Sequence, residues 1–152
     1  MDEAKFITLD NCLTILIYTD RSKSTNHMEL FTFYGGNYSS YIDYNGKKRN
    51  IKEGSAHLLE HYVCENTVSG DLLDNLRKYN VLSCNAGTSA FNTSYFFNTV
   101  CNFYECLDTF LDGIYNVSFT NEKLNKTKYA VLNEIRDSQN NEGRRIADIR
   151  DR

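Results

Sequence analysis

The sequence predicts an α+β fold, with helices covering one face of a mostly antiparallel sheet. Three observations lead there. Short β-branched and aromatic runs occur in pairs, at residues 12–18 and 28–34 and again at 81–86 and 93–100. Segments with apolar residues at three- and four-residue spacing are interleaved with those pairs, which is the pattern of sheet-plus-helix layers. The 152 residues, 41% apolar and 24% charged, match one ordinary globular domain and exclude wholesale disorder.

The elements follow in order. Residues 12–18 are apolar and β-branched and read as a strand. The polar stretch 20–26 turns the chain into residues 28–34, the second arm of a hairpin, which Gly35-Gly36 ends. Residues 37–50 read as a polar, tyrosine-rich loop. Residues 53–65 are helical, with Ala56, Leu59 and Val63 on one face, and 71–79 form a second helix around Leu72, Leu73 and Leu76. A strand pair follows, joined by a Gly/Ser/Asn turn. Residues 103–115 form a third helix with a wide stripe that includes Phe103, Cys106, Phe110 and Ile114. Thr120 is an acceptable N-cap for a last helix, whose apolar positions Leu124, Val131, Leu132 and Ile135 run to about Ser138. Gly143 marks its end or a kink.

Composition narrows the function classes. A net charge of -3 argues against a nucleic-acid partner, and Lys47-Lys48-Arg49 reads as a solvated loop. No run approaches the roughly 20 apolar residues of a membrane span. The N-terminus has no basic region followed by an apolar core, so a cytoplasmic protein is expected. Five irregularly spaced cysteines with no Cys-x-x-Cys make a poor disulfide framework and read as reduced, mostly packed thiols. The four Asn-x-Ser/Thr sequons read as by-products of an Asn-rich chain.

The informative segment is Gly54-Ser55-Ala56-His57-Leu58-Leu59-Glu60-His61. His57 and His61 are four apart on a predicted helix, so both rings project from one face and can share a zinc ion. Glu60, three residues from His57, can reach a water on that metal without being a ligand; this is the inverted form of His-Glu-x-x-His. Chance placement of His-x-x-Glu-His in this composition has a probability of about 0.004. Two histidines do not complete a catalytic zinc site, which takes three protein ligands. Glu134 is the best third candidate, on the last helix and separated from His61 by 72 residues. The remaining histidine, His27, falls in a predicted exposed turn.

In these motifs the chain resembles the N-terminal part of the insulinase/pitrilysin-type zinc peptidases, the inverzincins, and among them bacterial processing-peptidase relatives. The resemblance runs from about Leu13 to Arg145. It rests on Phe33-Tyr34-Gly35-Gly36, on Glu53 through His61, on Gly70-Asp71, on Cys84-Asn85-Ala86-Gly87-Thr88-Ser89, on Tyr95, and on Val131-Leu132-Asn133-Glu134-Ile135. It implies an α+β domain with a mixed sheet, one Zn²⁺ per chain held by His57, His61 and Glu134, and Glu60 as general base. It implies substrate contacts from Asn85, Ala86 and Thr88, on a strand to whose edge an extended peptide could add. The family often has a second acid about two helical turns before the ligand Glu; here that region reads Lys126-Thr127-Lys128.

The activity so implied is zinc-dependent hydrolysis of peptide bonds in extended peptides or unfolded polypeptides, with Glu60 moving the proton. The competing reading is a non-catalytic fragment or subunit that binds metal, a homologous partner half, or both. Family members pair two homologous halves around a chamber, and their metal domain continues well past the distal Glu. Only 18 residues follow Glu134 here. A single, incomplete N-terminal metal-binding domain over residues 1–152 is therefore expected, with a second half as partner.

Overall fold

The computed structural model describes residues 3–140. In chain order these form β1 (Glu3–Thr8), β2 (Thr14–Thr19), β3 (Asn26–Thr32), β4 (Ser40–Ile42), β5 (Lys48–Asn50), α1 (Ser55–Glu65), α2 (Leu72–Arg77), β6 (Ser83–Thr88), β7 (Thr93–Thr99), α3 (Phe103–Tyr115) and α4 (Asn121–Asn140). The α+β class holds, and every strand pairing among the described residues is antiparallel.

The central sheet has the order β3-β7-β6. Strand β7 alternates strictly: Thr93, Tyr95, Phe97 and Thr99 are buried and the residues between them are half-buried. A period of two puts all four on one face, and the helices cover that face. The core there joins Val63 and Cys64 of α1, Leu72 and Leu76 of α2, Tyr95 and Phe97 of β7, and Cys106 and Phe110 of α3. Phe97 is fully buried and meets the Phe110 ring edge-on, with centroids 5.4 Å apart.

The hairpin expected between residues 12–18 and 28–34 does not form. β2 pairs instead with β1, placing Ile7 opposite Ile15, and β3 pairs with β7, placing Leu30 opposite Tyr95. Long-range packing decides the pairing: Met28 and Leu30 pack against the core, and a partner on β7 puts them there. The turn into β2 is made locally, with Cys12 at φ 68 and bonds from the Leu9 and Cys12 amides to the carbonyls of Leu13 and Leu9.

The loop expected at 37–50 contains the small β4–β5 hairpin, wound around Asp43. Arg49 donates to its carboxylate at 2.7 Å, and the Lys47 and Asn45 amides donate at 3.0 Å. Arg49 first, then the Lys47 amide, hold that carboxyl below its ordinary pKa. His27 lies in β3 rather than in a turn; it is exposed, and its Nδ1 is 2.9 Å from Asn98 Oδ1. On α1, Ala56 and Val63 are buried as expected, but Leu59 faces solvent. α4 starts where Thr120 predicts, with the Lys123 amide donating to the Thr120 hydroxyl. Of its expected apolar face only Val131 is buried; Leu132 and Ile135 are exposed. Gly143 lies outside the described residues. No helix among the described residues is long and apolar enough to cross a membrane.

Candidate metal centre

Helix α1 packs between α4 and β6, and this sandwich builds the site. His57 and His61, one turn apart, bring their Nε2 atoms to 3.1 Å. α4 brings Glu134 Oε2 to 3.0 Å from His61 Nε2 and 3.5 Å from His57 Nε2. Three donors about 2.0–2.1 Å from a common tetrahedral centre lie about 3.3–3.4 Å from one another. The observed triangle brackets that spacing, so the three side chains fit a zinc ion. All three are part-exposed, at 29%, 27% and 43% of their side-chain surface, which leaves one side of the site open to solvent.

Glu60 shares the helix but is turned inward and only 7% exposed. Thr88, at the end of β6, donates its hydroxyl to Glu60 Oε2 at 2.8 Å. The Thr88 hydroxyl is also 3.3 Å from that of Thr93, its partner across the β6–β7 ladder. Thr93 in turn donates to the Tyr34 carbonyl at 3.0 Å. A carbonyl can only accept, so the Thr93 proton is committed there and the Thr88 proton to the carboxylate. The backbone around this chain of contacts is held by Gly35-Gly36. The Gly36 amide donates to Ser89 O at 2.8 Å, and a Cβ on Gly35 would stand 2.4 Å from the same oxygen. Glycine is needed at residue 35 because the segment after β3 lies against the β6–β7 turn.

Five of the seven expected site residues meet on or against α1: His57 and His61 with Glu134, and Glu60 with Thr88. Asn85 and Ala86 sit further along β6, the end strand of the central sheet, with Asn85 exposed and Ala86 half-buried. The Thr88 side chain donates to Glu60.

Two further residues escape a motif reading. Thr127 is fully buried and donates to Glu65 Oε2 at 2.9 Å, and the other Glu65 oxygen is 3.6 Å from His61 Nδ1. The four-residue step from His61 to Glu65 was the available signal. Cys64, three residues past His61, belongs to the core. Burial first, and then the Glu60 carboxylate, push its thiol up to about 12, which disfavours it as ligand or nucleophile.

Residues 47–150 match the family described as insulinase, peptidase family M16. The chain belongs to the insulinase family. It is 27% identical over 129 residues to the uncharacterized zinc protease YmfH of Bacillus subtilis (strain 168), an alignment covering 84% of this chain and 29% of that protein. A crystal structure described as that of an M16-like peptidase from Alicyclobacillus acidocaldarius superposes with a TM-score of 0.84 at 23% identity, over 95% of this chain and 33% of the other. A protease from Helicobacter pylori has the same fold, with a TM-score of 0.73 at 19% identity over 90% of this chain and 31% of the other. The chain thus spans about a third or less of the length of these relatives.

Proposed function

We propose that the centre binds one zinc ion through His57, His61 and Glu134 and hydrolyses peptide bonds in extended peptides. The observation that carries this is the donor triangle of 3.0, 3.1 and 3.5 Å with a buried carboxylate on the same helix that no cation of the protein neutralises within hydrogen-bond reach among the described residues. Bound zinc supplies Lewis acidity, bringing the pKa of a coordinated water to about 7. The residues do the rest. Glu60, held in place by Thr88, accepts the proton of the attacking water and returns it to the leaving amine. Burial keeps Glu60 in a fixed orientation, so little reorganisation accompanies the proton transfer. β6 ends its sheet, so its outer backbone edge is available to an extended peptide, and Asn85 and Ala86 would contact the residues near the scissile bond.

The test has two arms. Zinc content of the wild type is expected at one equivalent and to collapse in His57→Ala; equal content in both defeats the metal assignment. Cleavage of a quenched-fluorescence peptide is expected from the wild type and not from Glu60→Gln. A second reading, a metal-binding part that cleaves only with a homologous partner half, is favoured by the chain's spanning 29% of the YmfH length. One equivalent of zinc without cleavage by the wild type selects it.

A further inference from the structure

We propose that Glu65 is the positioning residue that orients His61 for the metal, and that Thr127 and Asn66 exist to hold Glu65 there. The inference rests on the zinc reading above. An imidazole that ligates through Nε2 carries its proton on Nδ1, and that N–H needs an acceptor to fix tautomer and ring angle. His61 turns Nε2 toward His57 and Glu134, and its Nδ1 toward Glu65 Oε1 at 3.6 Å. That separation is longer than a hydrogen bond, and a side-chain rotation that closes about half an ångström makes it one.

The other Glu65 oxygen is already anchored. It accepts from the Thr127 hydroxyl at 2.9 Å, and Thr127 accepts from Asn66 Nδ2 at 3.2 Å. Asn66 Nδ2 also reaches the Tyr62 carbonyl at 3.1 Å. One Asn66 amide proton is thus committed to the Tyr62 carbonyl and the other to Thr127, whose own hydroxyl proton is committed to the Glu65 carboxylate. Thr127 is 0% exposed and Asn66 6% exposed. Polar groups buried this deeply are kept only when satisfied, and here their combined effect is to place one carboxylate with its free oxygen aimed at a ligand ring. Thr127 sits two turns before Glu134 on α4, so the helix pair that supplies the three ligands also supplies the orienting group.

Glu65→Gln is the discriminating change. Its amide oxygen would accept from Thr127, which turns the NH₂ toward His61 Nδ1. A donor there moves the imidazole proton to Nε2, the atom that must ligate. Zinc affinity of the full chain, measured by competition with a chromogenic chelator, is expected to fall 10- to 100-fold in E65Q. It is expected to fall less in Thr127→Val and to match the wild type in Thr127→Ser. Long-range ¹H–¹⁵N spectra of the zinc-free imidazoles are expected to show the Nδ1-protonated form of His61 reduced in E65Q. Thermal midpoints of the metal-free proteins report folding. If E65Q melts well below the wild type, the T127V and T127S pair carries the test, and equal zinc affinity in those two overturns the proposal. Wild-type affinity in a folded E65Q also overturns it, while loss of zinc in H57A leaves the metal assignment standing. No zinc binding by the wild type overturns both.

Discussion

Thr88→Val removes one oxygen from the centre and changes little else in shape. The lost interaction is the 2.8 Å hydrogen bond to Glu60, whose 7% exposure leaves little room for water to replace it. A hydrogen bond to a charged acceptor contributes about 1.5–3 kcal/mol. For a chain of this size each kilocalorie moves the midpoint by roughly 2–4 °C, so the metal-free variant should melt about 3–12 °C lower. Urea denaturation of wild type, T88V, Glu60→Ala and the double variant isolates the pair, because either single change removes the same contact. The expected coupling energy is about 1–2 kcal/mol. If the same bond holds Glu60 during proton transfer, kcat for peptide cleavage falls about 10- to 150-fold while KM changes little. Thr88→Ser should restore both. A coupling energy below about 0.5 kcal/mol would refute the reasoning, because independent sites add to within that margin.

Other perturbations give equally definite expectations. Gly35→Ala forces a Cβ to within 2.4–2.7 Å of three backbone atoms of residues 89–92 and should destabilise by about 1–3 kcal/mol or more. Gly36→Ala meets only Ser89 O at 3.6 Å and should stay within about 0.5 kcal/mol of wild type in the same urea titration. The Cys64 thiol ionises near 9 when unfolded and near 12 when folded, so between those values the unfolded chain holds fewer protons. Its contribution to stability is intact below pH 9 and declines above it by up to about 1.4 kcal/mol per pH unit, a slope Cys64→Ala should flatten. Under native conditions iodoacetamide should label Cys12 and Cys101, both exposed, and spare Cys64 and Cys106 until the chain unfolds, as mass spectrometry would show. Chelation of zinc should lower the thermal midpoint, and free zinc at 100 times Kd should restore about 2.7 kcal/mol. Thr120→Ala, which deletes the cap on the Lys123 amide, should cost about 1 kcal/mol by the same denaturation assay.

The elements nearest the chemistry were legible because their signals are local. The helix bearing His57 and His61, the helices at 103–115 and after Thr120, and the strand pair at 81–86 and 93–100 each carry a periodicity within one segment. The structure places them at Ser55–Glu65, Phe103–Tyr115, Asn121–Asn140, Ser83–Thr88 and Thr93–Thr99. The pairing of β3 was not legible, since alternation shows that a strand exists and not which strand it joins. β1 was missed because its half-polar run Glu3–Thr8 shows no buried face; Phe6 remains largely exposed in the hairpin.

By itself, the sequence determined that two histidines and a glutamate share one helix, because the 3.6-residue period converts the spacing of His57, Glu60 and His61 directly into geometry. It also nominated Glu134, as a carboxylate on the last helix and then through the family resemblance. Only the tertiary structure decided that Glu134 reaches those rings, that Thr88 serves Glu60, and that Glu65 faces His61 with Thr127 behind it. Those contacts join residues 28 to 77 positions apart or depend on which way a side chain is turned. No local rule carries that information. It comes from how α1 packs against α4 on one side and β6 on the other, which the hydrophobic core of α1, α2, α3 and β7 sets.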